Sequence, residues 1–275
     1  MPLSLRLYSL LWWCLLPLAL LRLWWRGRRE PGYRAHVGER LGRYDGRPPA
    51  PLIWLHAVSV GETRAAEPLV RGLLEAYPDH HLLLTHMTAT GRATGKALFG
   101  SEPRIMQAYL PYDTLSMTAS FAAHFRPRLG ILMETEVWPA LIASCAAAGV
   151  PVALVNARLS ERSLRRGRRF AGLLGAAARQ ITLVAAQTPA DAGRLRQMGA
   201  RDVQVTGNLK FDVDVPEAQR TAGAALRRQI GGRPTLLCAS TREGEEALLL
   251  AAYMRATLPS DFLLMMVPRH PQRFA

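Results

Sequence analysis

The stretch from Pro51 to Glu62, PLIWLHAVSVGE, decides the fold of this chain. Its first part, Leu52–Ala57, is a short apolar run of the length of a buried β-strand, and a serine and a glycine then lead into a helical pattern. The same succession of a short strand and a helix recurs along the chain to about Thr206. Connections this short predict a parallel sheet that is covered by helices on both faces.

The other predicted elements follow the same two patterns. Short apolar runs predict six further strands: His81–Thr85, Ile105–Leu110, Leu129–Met133, Val152–Asn156, Ile181–Ala186 and Val203–Thr206. Apolar residues at helical spacing predict five helices: Glu62–Tyr77, Gly91–Phe99, Leu115–Phe125, Pro139–Ala148 and Ala190–Met198.

The pattern restarts beyond a helix expected in Pro216–Ile230. Strands are predicted at Thr235–Ala239 and Phe262–Val267, with a helix at Glu243–Arg255 between them. Two strands and one helix cannot cover a sheet. We therefore expect the opening of a second α/β domain, in a sequence that is a fragment of a longer protein.

Composition indicates a globular protein with affinity for anions. The 275 residues are 49% hydrophobic and 20% charged, which argues against a disordered chain. The net charge of +14 comes almost wholly from arginine, since Lys96 and Lys210 are the only lysines. Such a charge predicts attraction to nucleic acid, anionic lipid or a phosphorylated substrate.

Metal-binding patterns are missing from the sequence. The three cysteines are scattered, and neither a CxxC nor an HExxH motif occurs, so neither a disulfide framework nor a zinc site is predicted. His80, His81 and His86 are close in sequence, and we expect them to be ordinary surface histidines.

The N-terminal segment is predicted to be a membrane anchor. Leu7–Leu21 contains no charged residue and is flanked by Arg6 and Arg22, and the pair Trp24–Trp25 has the position of an interfacial aromatic belt. The arginines that follow it favour a cytoplasmic location for the rest of the chain. A cleaved signal peptide is the rival interpretation, but no small-x-small site precedes the arginines. The sequence does not decide whether the anchor spans the bilayer or lies in its interface.

Candidate functional residues follow the strands, because ligands of open parallel sheets bind at the carboxyl ends of strands. Ser59 and Glu62 have the spacing of a helix-capping box, yet Glu62 also lies beside a glycine at the end of the first strand, so capping and catalysis both stay open. Glu134 and Glu136 follow the fourth strand and would share a face if that strand continued through them. For Glu136 alone, a favourable interaction with the helix dipole near Pro139 is the preferred interpretation, and Glu134 is the stronger candidate.

Cationic candidates lie elsewhere. Lys210 in GNLKFD could meet a phosphate as a point charge, or it could be an ordinary surface lysine. Arg269 and His270 lie just past the last predicted strand, where they could hold a phosphate or a nucleoside. The basic stretch Arg158–Arg169 continues into the apolar Phe170–Ala178, and we expect it to lie against anionic headgroups or lipid phosphates. Neither a GxGxxG nor a P-loop motif occurs in the first strand-to-helix turn, which argues against dinucleotide and P-loop sites.

Several motifs together resemble one family, the bacterial 3-deoxy-D-manno-octulosonic acid (Kdo) transferases. They occur in order along essentially the whole chain: HAVSVGE (56–62), LPYD (110–113), METEVWP (133–139), NARLS (156–160), GNLKFD (207–212), STREGEE (240–246) and VPRHPQRF (267–274). The resemblance implies a GT-B glycosyltransferase with two Rossmann-like domains, the second incomplete, preceded by a membrane-anchor helix. The implied division is an anchor and basic flank at residues 1–29, an acceptor domain at 30–214 and the start of a donor-binding domain at 215–275.

The resemblance also implies roles for the candidate residues. Glu62 resembles the catalytic base, which favours catalysis over a purely capping role. Glu134 and Lys210 match positions that stabilise the transition state, and Arg269 and His270 match the first part of the CMP site. No metal and no other cofactor is expected.

The implied reaction transfers Kdo from CMP-Kdo to a lipid A precursor at the cytoplasmic face of the bacterial inner membrane. Anionic membrane lipids are expected partners and nucleic acid is not. Two alternatives stay open: a membrane-associated GT-B transferase that uses a UDP-sugar, and a non-enzymatic basic module tethered to the membrane.

Overall fold

The structure is a computed structural model and describes residues 2–46, 48–212, 215 and 217–269. The chain forms two compact units, Met1–Val213 and Asp214–Ala275.

Seven strands form the sheet of the first unit. Their bounds are Leu52–His56 (β1), His81–His86 (β2), Ile105–Tyr109 (β3), Leu129–Met133 (β4), Val152–Ala157 (β5), Leu183–Ala186 (β6) and Val203–Val205 (β7). All six pairings between neighbouring strands are parallel, and the order across the sheet is β3-β2-β1-β4-β5-β6-β7. The chain therefore winds outward in one direction from β1 to β3 and in the other from β4 to β7. The switch point lies between β1 and β4, where the carboxyl ends of two adjacent strands leave a crevice.

The helices of the first unit connect these strands. Their bounds are Leu3–Arg26 (α1), Val37–Arg40 (α2), Val60–Ala65 (α3), Glu67–Ala76 (α4), Ala89–Phe99 (α5), Leu115–Phe125 (α6), Pro139–Ala147 (α7), Glu161–Arg168 (α8), Ala171–Ala178 (α9) and Pro189–Met198 (α10). Short 3₁₀ turns lie at Pro31–Tyr33 and Leu209–Phe211.

Two hydrophobic cores lie on opposite faces of the sheet. Side chains of α3, α4 and α5 pack on one face, and those of α6, α7, α9 and α10 pack on the other. Trp54 of β1 is fully buried against Phe121, with ring centroids 4.9 Å apart, and its indole N–H donates to Thr85. Gly130 of the neighbouring strand β4 leaves space for the Trp54 ring, because a Cβ atom at this position would lie only 2.7 Å from the ring. The parallel sheet covered on both faces is thus confirmed.

One sequence prediction about the helices is wrong. The single helix expected at Glu62–Tyr77 is interrupted at Ala66, because Pro68 lies in the first turn of α4 and has no N–H group to continue α3. The apolar segment Phe170–Ala178 contains α9, which buries Ala177 and Ala178 in the core. The contact of the basic stretch Arg158–Arg169 with lipid stays a prediction.

Helix α1 docks along the first unit by one side. The Tyr8 hydroxyl donates to Asp113 at 2.9 Å, the Leu115 N–H donates to the Ser9 hydroxyl at 3.0 Å, and Leu16 belongs to a small apolar cluster with residues of the domain. The other side exposes large apolar side chains: Leu3, Leu7, Leu10, Leu11, Trp13, Leu15, Leu18, Leu21, Trp24 and Trp25. By length and composition, α1 is the one helix of the described residues that could cross a bilayer.

The second unit contains a βαβ element. Strands Thr235–Thr241 (β8) and Leu263–Pro268 (β9) pair in parallel and are connected by Glu245–Arg255 (α12), after the preceding helix Glu217–Ile230 (α11). Adjacent residues of β8, which point to opposite faces, are both largely exposed: Leu236 by 48% and Leu237 by 56%.

Candidate functional site at the sheet switch point

The turn after β1 brings the carboxylate of Glu62 back onto the backbone. Ser59 is the N-cap of α3 and accepts from the Glu62 N–H, while the Glu62 carboxylate accepts from the Val58 N–H at 2.7 Å and from the Ser59 hydroxyl at 3.2 Å. The capping interaction expected from the spacing is therefore formed, with the carboxylate reaching the residue before the N-cap. Capping fixes the carboxylate at the carboxyl end of β1 without excluding a chemical role.

The turn after β4 has an unusual backbone conformation at Glu134. Its φ of 56° is in the left-handed region, and the residue is 8% exposed. The Glu134 carboxylate accepts a hydrogen bond from the Arg158 guanidinium at 2.7 Å. The backbone N–H of Arg158 also donates to the backbone carbonyl of Glu134. A strained, buried residue that holds an exposed cation is typical of a functional site.

Glu136 belongs to the same site, contrary to the interpretation preferred from sequence. Strand β4 ends at Met133, so strand alternation does not align the two glutamates, and the turn brings them together instead. Glu136 accepts from the indole N–H of Trp138 at 2.7 Å, whereas the first N–H groups of α7 are capped by Asp113. Burial raises the pKa of Glu136 to about 7, and the Glu62 and Glu134 carboxylates add to this shift.

The carboxylates of Glu62, Glu134 and Glu136 interact electrostatically at the switch point, and we call these three residues the carboxylate cluster. Burial raises the pKa of Glu62 above its ordinary value, and the charge of Glu134 acts in the same direction. Hydrogen bonds from the Val58 N–H and the Ser59 hydroxyl lower it, as does the charge of Arg158. Glu62 and Glu136 therefore accept a proton more readily than exposed carboxylates do.

Lys210 follows β7 and lies in an exposed turn. Two asparagine side chains hold the backbone of this turn by hydrogen bonds. The Leu209 N–H donates to the side-chain oxygen of Asn156, and the Lys210 N–H donates to that of Asn208. Asn156 is buried in a left-handed conformation with a φ of 52°. The Lys210 side chain itself is exposed and has no ion-pair partner among the described residues.

Arg269 belongs to the second unit. It is exposed directly after β9, and its N–H donates to the Thr241 carbonyl. His270 lies outside the described residues.

Sequence reasoning missed three residues that build the site: Arg158, Asn156 and Asp113. Each lies in a motif that was recognised as a whole, NARLS or LPYD, but no pattern within those motifs distinguishes a residue that supports the site from its neighbours. The expectation of a surface location is wrong for His86, which is fully buried and bonded through Nδ1 to the Ala57 carbonyl. Burial lowers the pKa of His86 to about 4, so it is neutral at physiological pH.

The doubly wound parallel sheet, with its switch point between β1 and β4, gives the first unit the Rossmann-like α/β fold of GT-B proteins. Solved structures support this fold. The UDP-GlcNAc 2-epimerase of Neisseria meningitidis bound to UDP-GlcNAc matches with a TM-score of 0.52 at 15% identity, over 78% of this chain and 65% of the epimerase chain. The S. aureus MnaA–UDP structure matches with a TM-score of 0.50 at 18% identity, over 80% and 64%.

Sequence comparison identifies the family. Residues 35–213 match the family model described as 3-deoxy-D-manno-octulosonic-acid transferase (Kdo transferase). The chain is 49% identical to the 3-deoxy-D-manno-octulosonic acid transferase of Bordetella pertussis over 94% of its own length and 63% of the relative's, and 37% identical to that of Haemophilus influenzae over 90% and 58%. The chain belongs to the Kdo transferase family and spans about three fifths of the length of these relatives.

Proposed function

We propose that the protein transfers Kdo from CMP-Kdo to a hydroxyl group of a lipid A precursor with inversion of configuration, and that Glu62 is the general base. The observation that carries this proposal is the position of Glu62 in the switch-point crevice of a Kdo transferase family member, with its partly buried carboxylate close to Glu134 and Glu136.

The proposed chemistry is a direct displacement. The Glu62 carboxylate takes the proton of the acceptor hydroxyl as that oxygen forms a bond to the anomeric carbon of Kdo. The bond between this carbon and the phosphate oxygen breaks, and CMP leaves with the electron pair. The raised pKa of Glu62 supports the role, because a base is most effective when its pKa is near the working pH.

Two cationic side chains, Arg158 and Lys210, are proposed to have a different task. Glu134 is proposed to be a positioning residue, since it holds the Arg158 guanidinium at 2.7 Å and thereby directs a positive charge toward an anionic donor. Lys210 is proposed to meet the leaving phosphate, where negative charge grows in the transition state. Its turn is fixed through Asn156, while its ammonium group stays free to reach a ligand.

The two units are proposed to have separate roles. Residues 30–214 bind the acceptor, and residues 215–275 begin the donor-binding domain, in which Arg269 and His270 contribute to the CMP site.

The proposed location is the cytoplasmic face of the bacterial inner membrane. Helix α1 is proposed to lie in the membrane interface and not to span the bilayer. Its contacts with Asp113 and Leu115 start from Tyr8 and Ser9, well inside the helix, and a spanning orientation would draw these polar contacts into hydrocarbon. The exposed leucine and tryptophan side chains of its outer side would face the lipid.

The decisive experiment compares Glu62→Gln with Ser59→Ala in the full-length protein. A glutamine at position 62 can still accept from the Val58 N–H, so its thermal melting should stay near native, while loss of the base should reduce transfer by about 10²–10⁴-fold. Ser59→Ala removes the cap and keeps the carboxylate, so it should cost about 1 kcal/mol of stability and retain most of the activity.

Activity is measured with CMP-Kdo and, separately, with UDP-sugars as donors. A Glu62→Gln protein that still transfers Kdo would reduce Glu62 to a helix cap. Transfer from a UDP-sugar and not from CMP-Kdo would favour the alternative transferase.

A further inference from the structure

A cavity of about 390 Å³ lies beside the carboxylate cluster, between α8, α9, α10 and the sheet. Its floor includes Leu154 of β5 and Val184 of β6, both 1% exposed, and Ala178 of α9 forms part of a wall. Protein interiors are packed at the density of organic crystals, and cavities of a few hundred cubic ångströms that open to the surface are typical of ligand sites. The lining is mainly aliphatic, so the cavity suits a hydrocarbon ligand.

The mouth of the cavity adjoins the proposed reaction site. Thr135 and Val137 line it, and they alternate along one turn with Glu134 and Glu136 of the carboxylate cluster. Phe170 also lines the cavity, and its side chain is 64% exposed. A ligand that fills the cavity would therefore emerge next to the carboxylates.

Positive charge lies on the helix that forms one wall of the cavity. Arg166 of α8 lines the cavity. The helix and the residue after it carry five exposed arginines against one glutamate: Arg162, Arg165, Arg166, Arg168 and Arg169. This charge complements an anionic headgroup, and the apolar interior complements the chain attached to it.

Helix α9 connects the cavity to the membrane side of the first unit. Leu174 and Ala178 face the cavity, whereas Leu173 and Ala176 line a groove shared with Leu5 of α1. The cavity is thus one helix away from the proposed membrane-facing helix.

We propose that this cavity binds one acyl chain of the acceptor glycolipid while the α8 arginines contact its phosphate. The proposal rests on the proposed function and adds the feature by which the enzyme recognises an acylated acceptor. Each methylene group that leaves water for the cavity contributes to binding, so the chain would raise affinity for the acceptor without taking part in the chemistry.

Substitutions that fill the cavity test this role. Ser163→Trp places a large side chain at the exposed mouth, and Ala178→Leu reduces the volume inside. Ala171→Trp is the matched control, because Ala171 is exposed on α9 and does not line the cavity. Transfer from CMP-Kdo is measured with an acylated lipid A precursor and with its deacylated, water-soluble derivative.

Ser163→Trp should raise KM for the acylated acceptor on the order of tenfold and leave kcat unchanged. KM for the deacylated acceptor should also stay unchanged. Ala178→Leu should do the same if its melting temperature is preserved, and Ala171→Trp should behave as wild type. An unchanged KM for the acylated acceptor in Ser163→Trp would overturn the cavity proposal while transfer itself continues. Absence of transfer from CMP-Kdo in the wild-type protein would instead overturn the proposed function.

A binding measurement identifies the occupant independently of turnover. An acceptor analogue with a photoreactive group at the end of one acyl chain should crosslink to peptides of α8–α10, and Ser163→Trp should abolish this product. Excess acylated acceptor should compete, and vesicles of phosphatidylglycerol should not. Equal competition by the vesicles would assign the cavity to bulk phospholipid and overturn the proposal, as would crosslinking confined to other peptides.

Discussion

Glu136 illustrates how a buried carboxylate at the candidate site opposes stability. Its carboxylate is partly buried and close to those of Glu62 and Glu134, and the hydrogen bond from Trp138 offsets only part of the cost of its charge. The folded protein therefore holds a proton on Glu136 more tightly than the unfolded chain does. Such groups are common at sites where the chemistry requires closely spaced charges.

This arrangement predicts a pH-dependent gain of stability in Glu136→Gln. The pKa of Glu136 is about 7 in the folded protein and 4.5 ordinarily, so its contribution to stability is greatest below pH 4.5 and is lost as the pH rises through 7. Glutamine cannot ionise and can still accept from Trp138. At pH 8 the variant should be more stable by on the order of 1–2 kcal/mol, a value below that of the full pKa shift because the side chain is partly exposed.

Thermal melts of wild type and variant at pH 5 and pH 8 measure this difference. The gain at pH 5 should be only about a quarter of the gain at pH 8, because at pH 5 the folded carboxyl group is still protonated and only the unfolded one has begun to ionise. Glu75→Gln, at an exposed position on α4, should leave both values unchanged. A gain of the same size at both pH values would show that ionisation of Glu136 is not its cause.

At the residue level, the sequence predicted which side chains follow the strand ends but not the contacts that they make. The rule about the carboxyl ends of strands led to Glu62, Glu134 and Lys210. It could not show that Glu134 pairs with Arg158, because that contact joins β4 to β5 across 24 positions through a left-handed backbone conformation. Sequence reasoning also gave Glu136 too little weight. This residue lies between the end of β4 and the start of α7, and the two patterns predict different directions for its side chain.

At the level of elements, prediction succeeded where a single periodic pattern fills the element. The bounds of α6 and β4 agree with the sequence prediction, because each begins and ends with a clear change of pattern. Helices α8 and α9 were not foreseen. In α8, arginines alternate with few apolar residues, and only Leu164 and Gly167 are buried. In α9, every residue is Ala, Gly or Leu, so no polar face marks a helical period. Such a segment becomes helical by packing on the domain more than by its own pattern.

Helix α5 depends on a glycine where it meets the Glu62 turn. A Cβ atom at Gly91 would lie 2.8 Å from the hydroxyl of Thr88, the N-cap of α5, 3.0 Å from the Val58 carbonyl oxygen and 3.3 Å from the Ser59 backbone. Gly72 of α4 has open space. Gly91→Ala should therefore cost about 1–3 kcal/mol and reduce transfer by displacing the turn, while Gly72→Ala should stabilise by about 0.5–1 kcal/mol.

Melting temperatures and transfer rates of these two variants are the measurement. Both substitutions add one methyl group within a helix, so the comparison isolates the crowding of position 91 by Thr88 and by the Glu62 turn. A loss of activity beyond the loss of stability identifies displacement of the turn. Gly91→Ala with native stability and activity would show that α5 can move away at little cost.

Helix α1 provides a second test among the elements. If it lies in the interface, the protein should sediment with membranes, resist a high-salt wash and be released in part by alkaline carbonate, which leaves spanning helices in place. A chain that begins at Glu30 should become partly extractable by salt, because only its basic surface remains to hold it. Full retention in carbonate would favour a spanning helix, and a soluble protein at low salt would contradict the anchor altogether.

For the whole molecule, the family assignment and the fold of the first unit agree, and the second unit raises a separate question. Its βαβ element leaves apolar side chains exposed on β8 and also on α12, where Leu248 is 73% and Met254 79% exposed. We expect this surface to make the 275-residue chain prone to association, because apolar patches and strand edges of this kind favour intermolecular contacts.

The double substitution Leu248→Gln and Met254→Gln should lower the binding of an apolar dye such as ANS and slow aggregation on heating. Since both residues lie in the second unit, the melting of the first unit should not change. Dye binding and light scattering are compared between wild type and variant in the same detergent. The apolar surface of α1 is the same in both proteins, so it does not affect the difference between them. If the double variant binds dye and aggregates as wild type does, association does not depend on the exposed face of α12.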